Sequence, residues 1–128
     1  MAREAKEHMT RRLGFIAVTV WLTGTAVAAQ APDPKLVSQG KKLYATYKCD
    51  KCHQIAGKGS KKGPLDGVGA KLSAADIKRW FTHPAEMEAK LEKKPKGTDA
   101  MSYALKSKAI EPAEIDALVA YMQTLTKK

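Results

Sequence analysis

From residue 35 onward the apolar side chains recur every three or four positions, and no run alternates at every second position as a strand would. Leu36, Gly40, Leu43, Tyr44 and Tyr47 fall on one face and predict a first helix over about 35–48. Gly40 on that face costs helix stability, which is compensated if another helix crosses closely there. Residues 54–71 hold five glycines and one proline and read as loop. Ser73 suits a helix N-cap, with Asp76 three residues on, and Ile77, Trp80 and Phe81 point one way from the helix it would open. His83-Pro84 ends that helix, because a residue preceding proline avoids helical angles. Pro84 then opens a short helix, with Met87 and Leu91 one turn apart and Glu86 set to pair with Lys90. Lys93 to Asp99 reads as a polar loop. The last helix is the plainest. It has Pro112 first, Glu114 in its first turn, and Ile115, Leu118, Val119, Met122 and Leu125 on the 3.6-residue period, with Lys127 and Lys128 at the cationic end. With no internal repeat, the expectation is one all-α domain over 35–128, preceded by a Pro-rich linker over 30–34.

The first 29 residues carry a different pattern. Arg3, Lys6, Arg11 and Arg12 precede a largely apolar run from Leu13 to Ala29, and Ala26-Val27-Ala28 or Val27-Ala28-Ala29 offers small residues for cleavage. This is the layout of a secretory signal peptide, and its removal would leave a chain of about 100 residues. The alternative is an uncleaved anchor, for which the run is short and contains Gly14 and Gly24. Export places the chain in a bacterial periplasm or an equivalent space. After residue 29 there are 19 Lys and Arg against 11 Asp and Glu, an excess of +8. The lysines include Lys48, Lys51 and Lys58. Such a field steers a protein onto acidic partners or simply keeps its surface soluble. Nucleic acid is a poor candidate, since an exported chain seldom meets it.

The candidate chemistry lies in five consecutive residues, Cys49-Asp50-Lys51-Cys52-His53. This C-x-x-C-H spacing is the attachment pattern of a c-type haem. Two intervening residues let both thiols reach one porphyrin edge and form thioethers, and the next residue can turn its imidazole onto the iron. These are the chain's two cysteines, so no disulfide framework competes. A thioredoxin-like site would want a βαβ pattern, which is not visible. A structural zinc site would need two more ligands, and only His83 remains beyond the leader. One covalent haem c also suits a chain this small, whose own core is thin.

Taken together, residues 35–126 resemble the class I c-type cytochromes. The carrying features are a helix entering C-x-x-C-H, a Gly63-Pro64 loop, middle helices, a methionine before the last helix, and that helix itself. The resemblance implies a small all-α cytochrome c fold whose first and last helices cross at a glycine–aromatic contact, matched by Gly40 and Tyr44 on one side and Leu118 and Tyr121 on the other. It implies that the Pro64 carbonyl holds the ligand imidazole of His53. It also implies an axial methionine. Met101, followed by Ser102-Tyr103, is the first candidate. Met87 is the alternative, His83 would give bis-histidine ligation, and a chain with none of these stays open. Met122 reads as packing.

An iron with two protein ligands has no open place for substrate, so the expected role is a monomeric, non-enzymatic shuttle of single electrons between redox proteins with acidic docking surfaces. The alternative is a haem-bearing subunit of a periplasmic oxidoreductase, such as one oxidising thiosulfate.

Overall fold

The computed structural model describes residues 30–127. The expected leader over 1–29 and Lys128 lie outside the described residues. Among the described residues there are six α-helices: α1 Pro34–Thr46, α2 Val68–Lys71, α3 Ala74–Thr82, α4 Pro84–Ala89, α5 Met101–Leu105 and α6 Pro112–Gln123. The described chain is helix-rich, but the all-α expectation is corrected. The stretch read as loop over 54–71 contains α2 and, with His53, a small sheet of β1 His53–Ile55, β2 Lys58–Gly59 and β3 Gly63–Pro64, in the order β2-β1-β3. Helix α5 is a further helix that the apolar spacing did not predict.

The helix ends obey local chemistry. Helix α1 starts one residue inside the expected linker, because Asp33 caps it by accepting from the Lys35 N–H at 2.7 Å. It stops at Thr46, short of the expected end, because Lys48 takes the left-handed conformation at φ 56°. That reversal turns the chain into the 3-10 turn Cys49–Lys51. Ser73 caps α3 as expected, accepting from the Asp76 N–H at 3.1 Å while its hydroxyl donates to the Asp76 carboxylate at 2.7 Å. Caps of this type contribute about 1 kcal/mol. His83 and Pro84 divide α3 from α4. Glu86 pairs with Arg79 at 3.1 Å, not with Lys90; the partner comes from the preceding helix across the break.

Helix α6 is the centre of the packing. It buries Ile115, Ala117, Leu118, Val119, Ala120 and Met122, and Ile77 of α3 joins Ile115, Val119 and Met122 in the buried core. Leu125 lies beyond the helix end yet still packs on this cluster. Helices α1 and α6 meet at Gly40, where a Cβ would overlap the Ala117 carbonyl oxygen and come within 2.8 Å of the Tyr121 Cβ. Next to this contact Tyr44 and Tyr121 stack edge to face, with ring centroids 6.0 Å apart at 69°. The glycine–aromatic crossing expected from Gly40 and Tyr44 is therefore present. Ala117 rather than Leu118 makes the close backbone contact.

The sheet is small, but its register fixes the surroundings of His53. β1 and β2 pair antiparallel, Gln54 opposite Gly59 and Ile55 opposite Lys58. Ala56 and Gly57 join them, both at positive φ (50° and 78°), as the tight primed hairpin turns require. β3 returns parallel to β1, with His53 opposite Gly63 and Gln54 opposite Pro64.

Candidate haem site

Cys49, Cys52 and His53 line one wall of a cavity of about 370 Å³. Lys48 brings the chain off α1, and the 3-10 turn is closed by the Cys52 N–H donating to the Cys49 carbonyl at 3.2 Å. The two cysteines form no disulfide with each other. Burial pushes the Cys49 thiol above its ordinary range, with the nearby Lys108 opposing that effect.

His53 is held from behind. Its Nδ1 lies 3.0 Å from the Gly63 carbonyl oxygen. A carbonyl only accepts, so Nδ1 carries the proton and Nε2 keeps the lone pair that a metal needs. This corrects the expectation for Pro64. The β1–β3 register sets Gly63 opposite His53, so the glycine's carbonyl meets the ring and Pro64 sits one place along, opposite Gln54. The approach also requires glycine, since a Cβ on Gly63 would stand 2.9 Å from His53 Nδ1. Tyr44 supports the same segment, its hydroxyl donating to the His53 carbonyl at 3.3 Å. Burial, with lesser effects from Cys49 and Asp50, pushes the Tyr44 hydroxyl up to about 12. It stays protonated as a donor across the neutral range.

The rest of the lining is mainly apolar, including Leu65, Val68, Leu72, Trp80, Phe81 and Ile110. Met101, the first residue of α5, is half-buried and lines it. Met122 does so too, while also belonging to the core, so it is more than a contact at the helix crossing. Met87 is buried but is not among the lining residues, and neither is the exposed His83, whose Nδ1 lies 2.8 Å from the Thr82 hydroxyl. Tyr103, two residues after Met101, points to solvent at 55% exposed. Trp80 is half-buried against the cavity.

Sequence reasoning missed two participants. The first is the Gly63 carbonyl, which depends on strand register. The second is Glu88, a buried carboxylate in the cavity wall. No local pattern singled it out, because its partner Ser102 lies fourteen residues away.

The donor set fits a covalent haem. Two thiols at the required spacing, an imidazole with its free nitrogen defined, and apolar walls share one cavity. Among the described residues no group of three or more His, Cys, Asp or Glu side chains converges as a bare-ion site. The family model for cytochrome c matches residues 37–126.

The chain belongs to the cytochrome c family.

Members of this family carry haem and transfer electrons, and that description extends to this chain. No curated protein and no solved structure matches it. Among the described residues no helix is long and apolar enough to cross a membrane.

Proposed function

We propose that this cytochrome c family member is a class I, monohaem electron carrier. It would be exported to the periplasm by its first 29 residues and work there as a monomer. The observation that carries this reading is the convergence of Cys49, Cys52 and His53 on one apolar cavity, with the His53 tautomer defined by Gly63. The group held there supplies one-electron chemistry between ferric and ferrous iron. The chain's own residues do the rest. Cys49 and Cys52 anchor the ring, and His53 offers Nε2 to the iron. Gly63 keeps the imidazole oriented and more basic through its Nδ1 hydrogen bond. The apolar walls exclude water, which limits solvent reorganisation as charge changes.

Met101 is the proposed sixth ligand. Its place on the cavity supports that choice over Met87 and His83, which are absent from the lining. Visible spectra of the native protein, oxidised and reduced, test the whole reading. A haem spectrum with the long-wavelength charge-transfer band of methionine-ligated ferric iron is expected. Met101→Ala should abolish that band and Met87→Ala should keep it. A colourless protein with the mass of the bare polypeptide would refute the proposal.

Lys48 and Lys108 lie at this cavity, and Lys51 and Lys58 are exposed on the neighbouring turn and hairpin. They would steer acidic redox partners, so electron-transfer rates with an anionic partner should fall as salt shortens the Debye length to about 3 Å at 1 M. Stopped-flow rates that stay flat across that range would remove steering from the proposal.

A further inference from the structure

Glu88 alone among the described polar and charged residues is buried, at 9% exposed. Burying a carboxylate is costly unless its oxygens are satisfied. No Lys, Arg or His among the described residues forms an ion pair with it. Both its oxygens instead serve one residue on another element. Oε1 accepts the Ser102 backbone N–H at 2.8 Å, and Oε2 accepts the Ser102 hydroxyl at 2.7 Å. Ser102 comes directly after Met101, in the first turn of α5.

The surroundings make this tie decisive. Ala100, at the N-cap of α5, has no side chain that can cap the helix, so the free N–H groups of its first turn need an acceptor from elsewhere. Glu88 supplies it from α4, across an exposed stretch that contains Lys93, Lys94, Lys96 and Gly97. The Lys62–Asp99 pair also ties this stretch, but both partners are exposed, at 74% and 57%, and such pairs contribute little. Glu88 and Met101 line the same cavity.

We infer that Glu88 is a positioning residue which, by binding Ser102 twice, sets the first turn of α5 and so holds the Met101 thioether toward the cavity. This rests on the reading of Met101 as sixth ligand. An apolar residue at 88 would be less costly to bury, but it could neither cap α5 nor grip Ser102.

The test uses the haem-loaded protein carrying Glu88→Ala, Glu88→Gln or Ser102→Ala, with Ser73→Ala as a destabilised control at a distant cap. The main readout is the rate at which cyanide displaces the sixth ligand of the ferric form. Hydrogen bonds to a carboxylate of this kind correspond to about a ten- to a hundredfold change. Glu88→Ala should accelerate cyanide binding by that factor and raise hydrogen exchange at the Ser102 amide. Glu88→Gln keeps an acceptor and should restore most of the wild-type rate. Ser102→Ala, which loses only the hydroxyl, should fall between. If Glu88→Ala does not fold, Ser102→Ala still decides the matter: a wild-type rate there overturns the inference. Rates within about twofold of wild type for both Glu88→Ala and Ser102→Ala, or an equal acceleration in Ser73→Ala, would overturn the inference while leaving Met101 as ligand. If instead the wild type lacks the methionine band and Met101→Ala binds cyanide at the wild-type rate, the ligand reading fails first and takes this role with it.

Discussion

Replacing Cys49 and Cys52 together with serine is expected to yield a colourless, largely unfolded chain. The physical reason is the size of the cavity relative to the core. The buried cluster is small, with Ile77, Ile115, Val119 and Met122 at its centre. The cavity beside it measures about 370 Å³ and is walled by apolar side chains. The cavity is partly open, so without the group the cysteines anchor its apolar walls either face water or must collapse, and each large side chain that loses its cover forfeits about 1.5–3 kcal/mol. The whole stability of a domain is about 5–15 kcal/mol, so a few such losses remove most of it. The thiols themselves contribute little packing, and serine is nearly isosteric; the effect comes from losing the group they anchor. Loss of the helical far-ultraviolet circular dichroism signal, together with an intact mass equal to the bare polypeptide, would verify this. Each single serine variant keeps one possible thioether and should retain colour at reduced yield. A double variant that melts cooperatively near the wild-type temperature would show that the polypeptide core suffices alone.

Gly40→Ala is expected to destabilise the protein by about 2 kcal/mol or more, although alanine is the better helix former by about 1 kcal/mol. The new Cβ would overlap the Ala117 carbonyl oxygen and stand 2.7 Å from its carbon. These are backbone atoms, so no rotamer change relieves the clash, and α1 must move off α6. That movement would also part Tyr44 from Tyr121. For a domain of this size the loss corresponds to a fall in Tm of about 8–16 °C. Thermal denaturation monitored by far-ultraviolet circular dichroism would measure it, with Ser38→Ala on the exposed face of the same helix as comparison. A higher Tm for Gly40→Ala than for wild type would mean that the two helices do not meet this closely.

Glu114 shows how local and long-range signals combine in one residue. Its carboxylate accepts the Glu111 N–H at 3.0 Å, a first-turn interaction readable from sequence. It also accepts the Tyr47 hydroxyl from α1 at 2.7 Å, which is not readable, and this second bond is the larger cause holding its carboxyl below the ordinary range.

What could be read from the chain alone has a common character: it depends on neighbours within about one helical turn. The cap at Ser73, the break at His83-Pro84 and the start at Pro112 are short-range steric and hydrogen-bonding facts. So is the C-x-x-C-H spacing, because two thiols and an imidazole must reach one ring from five consecutive residues. Even Gly40 announced a close crossing, since a glycine on an apolar helical face is otherwise a cost. Tertiary structure alone decided the rest. Strands of two or three residues carry no periodicity, so the sheet was invisible, and with it the register that gives His53 the Gly63 carbonyl instead of that of Pro64. The Glu88–Ser102 tie closes fourteen residues of chain, and Arg79 reaches Glu86 across a helix break. Such contacts are selected by how whole elements pack, and no local preference of the residues involved specifies them.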